Sequence, residues 1–204
     1  MRVTNIFSIG VGIEQVPEML PLARKIFAEN KDNFKSAGHH PGLRTTLSNY
    51  FKNIEVFHTK NKDTDLLENF ILLRAKEYIA FCGYKAEDYE YTITMWLNEM
   101  ERNAVHKLHH HYGHNISGCY YIDLPNNSNT IMFSHTHLNS NSLGLVEVDE
   151  YTPFNSASWK FMPKEGELYL WKSDMYHEVP PLDFNGIRRT IAFDISVVGK
   201  AEGR

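Results

Sequence analysis

The chain is poor in cysteine: Cys82 and Cys119 are the only two in 204 residues. Two thiols do not make a disulfide framework, and their scarcity fits a reducing compartment. Cys82 falls in an apolar helical run, where a cysteine packs as a small hydrophobe. Positive charge is also in short supply. Twenty-one Lys and Arg against twenty-five Asp and Glu leave a formal charge of −4, so no general electrostatic footprint for nucleic acid is present. Long apolar runs are missing too, and none approaches the ~18 residues of a membrane span. The stretch "MRVTNIFSIGVGIEQVPEML" has no cleavage pattern and is interrupted by Glu14 and Pro17, so it does not read as a signal peptide. These absences predict a soluble, cytoplasmic protein with no nucleic-acid or membrane partner.

What is present is ordinary globular composition, 42% hydrophobic and 23% charged, in a length that predicts one domain over 1–204. Residues 1–88 read as largely helical. "VPEMLPLARKIFAENKDNF" sets Leu22, Ile26 and Phe27 at helical spacing, with Pro17 near the start. "DTDLLENFILLRAKEYIAFCGY" predicts a longer helix capped by Asp63 or Thr64. Its apolar face is Leu66, Leu67, Phe70, Ile71, Ala75 and Ile79, and Gly83 ends it. Between them, "SAGHHPGLRTT" predicts a loop.

From 89 to 198 the texture changes to short β-branched and aromatic runs: "YEYTITMWLNEM", "ISGCYYIDL", "NTIMF", "LGLVEV", "ASWKFM", "ELYLWK" and "RTIAFDISVV". Turn-forming "PNNSN", "NSNS" and "PKEG" separate them. This many short strands predict a closed barrel or two packed sheets, and the preceding helices predict a brace on its outer face. The fold class is therefore α+β, mainly β.

Histidine is the residue in excess. "HKLHHHYGHNISG" holds five of the chain's eleven. If this segment is extended, His109 and His111 point to one side and His110 to the other, so two imidazoles could share one ion. A histidine-rich turn that is merely polar is the plainer alternative. His177 follows the apolar run "ELYLWK" and is placed just past the end of that strand, where a partner strand would supply a third ligand. A surface histidine before two prolines fits it as well. In "GIRRTIAFDISVV", alternation puts Arg188, Thr190 and Ala192 on one face and Ile191, Phe193, Ile195 and Val197 on the other. An Arg two residues before a hydroxyl can grip a carboxylate. Arg189 is the better candidate for an arginine lying along the barrel wall.

Taken together, His-x-His, "ISGCYYIDLP", "GEL…HEVPP" and "RRTIAF" resemble the 2-oxoglutarate- and Fe(II)-dependent oxygenases, over roughly 91–195. They most resemble a branch with "His-x-His-Pro-Gly-Ser…Ser-Gly-Val-Tyr-Tyr", whose Trp-x-Asn is similar to "WLN" at 96–98. Departures from that branch include Tyr112, His114, Trp171 and Lys172. The resemblance implies a double-stranded β-helix, the jelly roll or cupin-like barrel, as a core over 89–198. It implies His109, His111 and His177 as ligands of Fe(II), with nickel or zinc able to occupy the same site in purified protein. It also implies Arg188, Thr190 and Tyr121 as the residues that bind the far carboxylate of 2-oxoglutarate. His111 stands where most of the superfamily has Asp or Glu. Trp96, Asn98 and Trp171 are candidate contacts for a small-molecule or peptide substrate, unless they only fill the barrel. A second His-x-His, His135 and His137, is expected at the surface.

The implied activity is hydroxylation with release of succinate and CO2. Two alternatives stay open: a cupin-type three-histidine lyase or small-molecule dioxygenase that uses no 2-oxoglutarate, and a non-catalytic jelly-roll binding module.

Overall fold

Alternating apolar and polar residues make the strands of the second half, and the two apolar faces they generate decide how the layers pack. The structure, a computed structural model, describes residues 9–47, 61–135, 147–152 and 155–199. Strands β1 (Gly12–Gln15), β2 (Lys35–Ser36), β3 (Leu43–Thr45), β4 (Tyr89–Met100), β6 (Ile116–Asp123), β9 (Glu167–Lys172) and β11 (Arg188–Gly199) form one sheet in the order β1-β9-β6-β11-β4-β3-β2. Strands β5 (His106–His109), β7 (Ile131–Ser134), β8 (Ser158–Phe161) and β10 (Tyr176–Val179) form the other, ordered β5-β10-β7-β8. Each of the strand pairs described is antiparallel. This is the double-stranded β-helix that the sequence implied, with helices α1 (Leu20–Glu29) and α2 (Lys62–Phe81) flanking the larger sheet.

β11 shows why both faces are buried. Ile191, Phe193 and Ile195 join Leu97, Tyr120, Ile122, Leu168 and Leu170 in the core beneath Ile26, Phe27, Leu67 and Ile71 of the helices. The opposite face of the same sheet gives Cys119, Tyr121, Tyr169 and Trp171 to a smaller cluster with Ile131 and Phe133 of the other sheet. Close packing is set by Gly118, in register with Phe193. A Cβ there would lie 2.1 Å from Phe193 Cζ and 2.5 Å from the Tyr169 carbonyl oxygen.

Several expectations are corrected. The longer helix is capped by Asn61 rather than Asp63 or Thr64. Asn61 Oδ1 accepts from the Asp63 and Thr64 amides at 2.9 and 3.1 Å, and Thr64 Oγ1 accepts from the Asn61 amide at 2.9 Å. The cap thus sits two residues before the stretch in which it was sought. At the other end Gly83, at φ 88°, does stop the helix: its amide bonds Ala80 O and the Tyr84 amide bonds Ile79 O. Leu66 is exposed; the buried stripe is Leu67, Ile71, Ala75, Tyr78 and Ile79.

"SAGHHPGLRTT" is a loop only in its middle, where Gly38 and Gly42 take positive φ. Leu43 and Thr45 turn inward as β3 and extend the sheet along β4. A three-residue strand is too short to show periodicity. Of the strand expected in "LGLVEV", Glu147 and Val148 lie in no strand, and 143–146 fall outside the described residues.

Candidate metal centre

The His-rich segment is extended as far as His109, the last residue of β5; His111 follows in the turn beyond. The His111 amide donates to Ser173 O at 2.9 Å, which ties that turn to the end of β9. His177 was expected past the end of β9. It lies instead inside β10, a four-residue strand of its own, directly in register with His109. One ring nitrogen from each of His109, His111 and His177 lies within 4.8 Å of the other two.

Hydrogen bonds fix which nitrogen that can be. His109 Nδ1 is 2.6 Å from Lys107 O, and His177 Nδ1 is 2.9 Å from Met175 O. A carbonyl only accepts, so both rings carry their proton on Nδ1 and keep the Nε2 lone pair free. His111 Nδ1 meets both oxygens of Asp194, at 2.7 and 2.8 Å, and its Nε2 is buried with no partner among the described residues. Burial, and then the His111 charge, lowers His109 to a pKa of about 4. Burial, with His109 and His111 next, holds His177 well below 6.5. Neutral imidazoles with aligned tautomers are what a transition metal requires of its ligands.

Aromatic rings wall this cluster. Trp96 stacks on His111 at 5.9 Å between centroids, and Trp171 meets His177 edge-on at 4.9 Å. Sequence reasoning missed a second layer of imidazoles behind His109. His106 stacks on it at 4.2 Å, and His40, from the loop before β3, packs edge-on against His106 at 4.6 Å. Nothing in the spacing of "SAGHHPG" links His40 to a segment more than sixty residues away.

Asp194 was missed as well, although a signal existed. It is the one acid in the apolar run "TIAFDISVV", on the same face as Arg188, Thr190 and Ala192. Farther along that face, Thr190 is in register with Tyr121 on one side and Asn98 on the other. All three are buried, and Arg188 is 3% exposed. The Arg188 guanidinium lies over the Tyr121 ring, 5.5 Å from its centroid, and Nη1 donates to Met100 Sδ at 3.1 Å. Arg188 Nε and Tyr121 Oη are buried without a hydrogen-bond partner among the described residues. His135 stands apart from the metal cluster, half-buried just beyond β7, with its amide on Ala157 O. His137 lies outside the described residues.

A family model described as "Putative 2OG-Fe(II) oxygenase" matches residues 94–194, the stretch that carries the three histidines, Asp194 and Arg188. Over this stretch the chain is similar to the 2OG-Fe(II) oxygenases. Solved members of the same fold cover nearly all of it. A Pseudomonas putida prolyl-4-hydroxylase superimposes with a TM-score of 0.58 at 14% identity, over 93% of each chain. HygX from Streptomyces hygroscopicus, solved with nickel and 2-oxoglutarate bound, gives 0.60 at 11% identity, over 92% of this chain and 83% of that one. A Trichoplax adhaerens prolyl hydroxylase, solved with a hypoxia inducible factor peptide fragment, gives 0.59 at 12%, over 93% and 84%. No curated protein matches the sequence. Among the described residues, the donors of the present site are three imidazoles with no carboxylate among them.

Proposed function

We propose that this protein is an Fe(II)- and 2-oxoglutarate-dependent oxygenase that hydroxylates a small-molecule or peptide substrate, releasing succinate and CO2. One observation carries the reading: Arg188 is a buried guanidinium with no carboxylate partner among the described residues. Keeping an arginine out of water costs several kcal/mol unless an anion compensates it. A carboxylate entering here would accept bonds from the guanidinium, from Tyr121 Oη and from Thr190 Oγ1. Burial, with the Cys119 thiol next, keeps the Tyr121 phenol protonated and able to donate, its pKa well above 10.

The metal fits for a parallel reason. His111 Nε2 is buried and unpartnered, and an all-imidazole donor set suits iron as well as nickel or zinc. His109, His111 and His177 would hold iron, which with 2-oxoglutarate supplies the oxygen-activating chemistry. The chain's own part is placement. Arg188, Thr190 and Tyr121 fix the far carboxylate and thereby the direction of the 2-oxo acid. Trp96 and Trp171 keep water from the ligands, and Asn98 offers a buried amide beside Thr190 for substrate. Cys119 takes no nucleophilic part, because burial pushes its thiol up to about 11. In the block from His109 to Tyr121, the chain resembles the His-x-His branch of these oxygenases.

The ligand set favours a second reading, and on the ligands alone it is the better match. Three neutral imidazoles are the donors of a cupin-type lyase or small-molecule dioxygenase that needs no 2-oxoglutarate. Calorimetric titration of metal-loaded protein with 2-oxoglutarate separates the two. Wild type should bind, and Arg188→Ala should bind at least tenfold more weakly. Equal heats from both proteins, or none from wild type, overturn the 2-oxoglutarate assignment and leave the cupin-type reading.

A further inference from the structure

We propose that Asp194 is the charge-compensating carboxylate of the metal centre, acting through His111 as a positioning residue rather than as a ligand. The proposal rests on the metal site described above and extends it to a residue outside the three ligands.

Charge comes first. A divalent cation held by three neutral imidazoles keeps its full charge of +2, in surroundings walled by Trp96, Trp171 and Phe133. Such a charge is costly unless an anion stands close. Among the described residues, Asp194 is the carboxylate hydrogen-bonded to the cluster. Its side chain is 8% exposed, and its two oxygens lie 2.7 and 2.8 Å from His111 Nδ1. Because Asp194 bonds Nδ1, the imidazole ring stands between it and whatever Nε2 binds.

Asp194 is itself built in. The Ser117 hydroxyl donates to Oδ1 at 2.6 Å and lies 2.8 Å from Ser173 Oγ, which can donate to it in turn. Ser173 O accepts the His111 amide, so one short network holds both the ring and the acid behind it. No Lys or Arg pairs with Asp194 among the described residues, and its other ring neighbour, His114 Nε2, is 3.8 Å away. A buried acid whose close partners are hydroxyls and imidazoles, with no Lys or Arg among the described residues, gains a cation when a metal on His111 Nε2 supplies one through the ring. In return the acid fixes the Nδ1–H tautomer and makes Nε2 a stronger donor. A carboxylate absent from the donors is thus present one bond farther out.

The test measures metal affinity by competition with a chelator, using iron(II) without oxygen and zinc. Asp194→Asn keeps the shape and removes the charge. It should bind both metals roughly 10–100-fold more weakly and raise the iron(III)/iron(II) midpoint potential, since the lost negative charge favoured the higher oxidation state. In a His111→Ala background the same substitution should change affinity little, because the route through the ring is gone. Unchanged affinity and potential in Asp194→Asn, or an equal loss in both backgrounds, overturns the proposal.

Should Asp194→Asn fail to fold, proton NMR of zinc-loaded wild type decides. The Nδ1–H of His111, bonded to a carboxylate, should resonate downfield of those of His109 and His177, which are bonded to carbonyls. Three similar shifts overturn the proposal. If His109→Ala and His177→Ala leave affinity intact, the metal site itself is wrong; if they abolish it while Asp194→Asn does not, only the role of Asp194 fails.

Discussion

Arg188 and Arg189 are adjacent on β11, yet Arg189 meets Glu99 at 3.0 Å and Asp123 at 3.2 Å while Arg188, among the described residues, meets the sulfur of Met100 and the face of Tyr121. The two should respond to truncation in opposite ways. Arg189→Ala should lower stability by about 1 kcal/mol, less at high salt, because it breaks a half-exposed ion-pair network. Arg188→Met removes a buried charge with no partner and should leave the protein as stable or more so, by about 1 kcal/mol. Urea unfolding of both variants without 2-oxoglutarate checks the pair. A large loss in Arg188→Met would mean that this guanidinium is structural.

Metal content separates an enzyme from a binding module. Protein prepared without chelator should carry close to one transition metal ion, and His177→Ala should lose it. The metal should also raise the melting temperature of wild type but not of the variant, since ligand binding to the folded state stabilises by mass action. Elemental analysis with a thermal melt reads both. Wild type free of metal and indifferent to added iron, nickel or zinc leaves the jelly-roll module as the remaining account.

Metal-free protein should be acid-sensitive in a defined window. Burial is the main cause that sets His40 and His109 at about 4, against 6.5 in an unfolded chain. Between those values the folded protein holds both rings neutral while the unfolded chain protonates them. The unfolded state therefore binds more protons, and stability rises with pH through the window. Their contribution is complete above 6.5 and is lost as pH falls towards 4, by up to ~1.4 kcal/mol per pH unit for each histidine. His106 and His177, pushed well below 6.5 chiefly by burial, act in the same direction. Urea midpoints of the apo protein from pH 7 to 4 test this. A flat profile would mean these imidazoles are already charged in the fold.

Gly118→Ala tests the packing between sheet and helices. The added methyl meets the Phe193 ring and the Tyr169 carbonyl oxygen, neither of which has room to yield. Overpacking of this kind costs about 1–3 kcal/mol. The double variant Gly118→Ala, Phe193→Leu should recover part of that loss, and additive losses in thermal melts would argue against a direct clash.

Where the sequence was legible, a period could be counted. The alternation of β11 assigned Arg188 and Thr190 to one face and Ile191, Phe193 and Ile195 to the other, and the structure packs them that way. The His-x-His spacing picked out His109 and His111 as neighbours, although the strand ends at His109 and His111 reaches the cluster from beyond it. Illegible features were short or distant. β3 and β10 are three and four residues long, below the length at which a period declares itself, so His177 was set past a strand it does not belong to. Asn61 capped from two residues outside the stretch considered. Asp194 passed as part of an apolar run, because the ring that explains its burial is eighty-three positions away.

β11 is hydrogen-bonded along both edges, to β4 and to β6, and a strand so clamped neither stretches nor slides. Arg188 and Asp194 are both mounted on it, one over the Tyr121 ring and one behind the His111 ring, so the span between them is a fixed gauge. If a diacid binds as proposed, that gauge would measure its length, and homologues one carbon shorter or longer would be refused by an inextensible backbone.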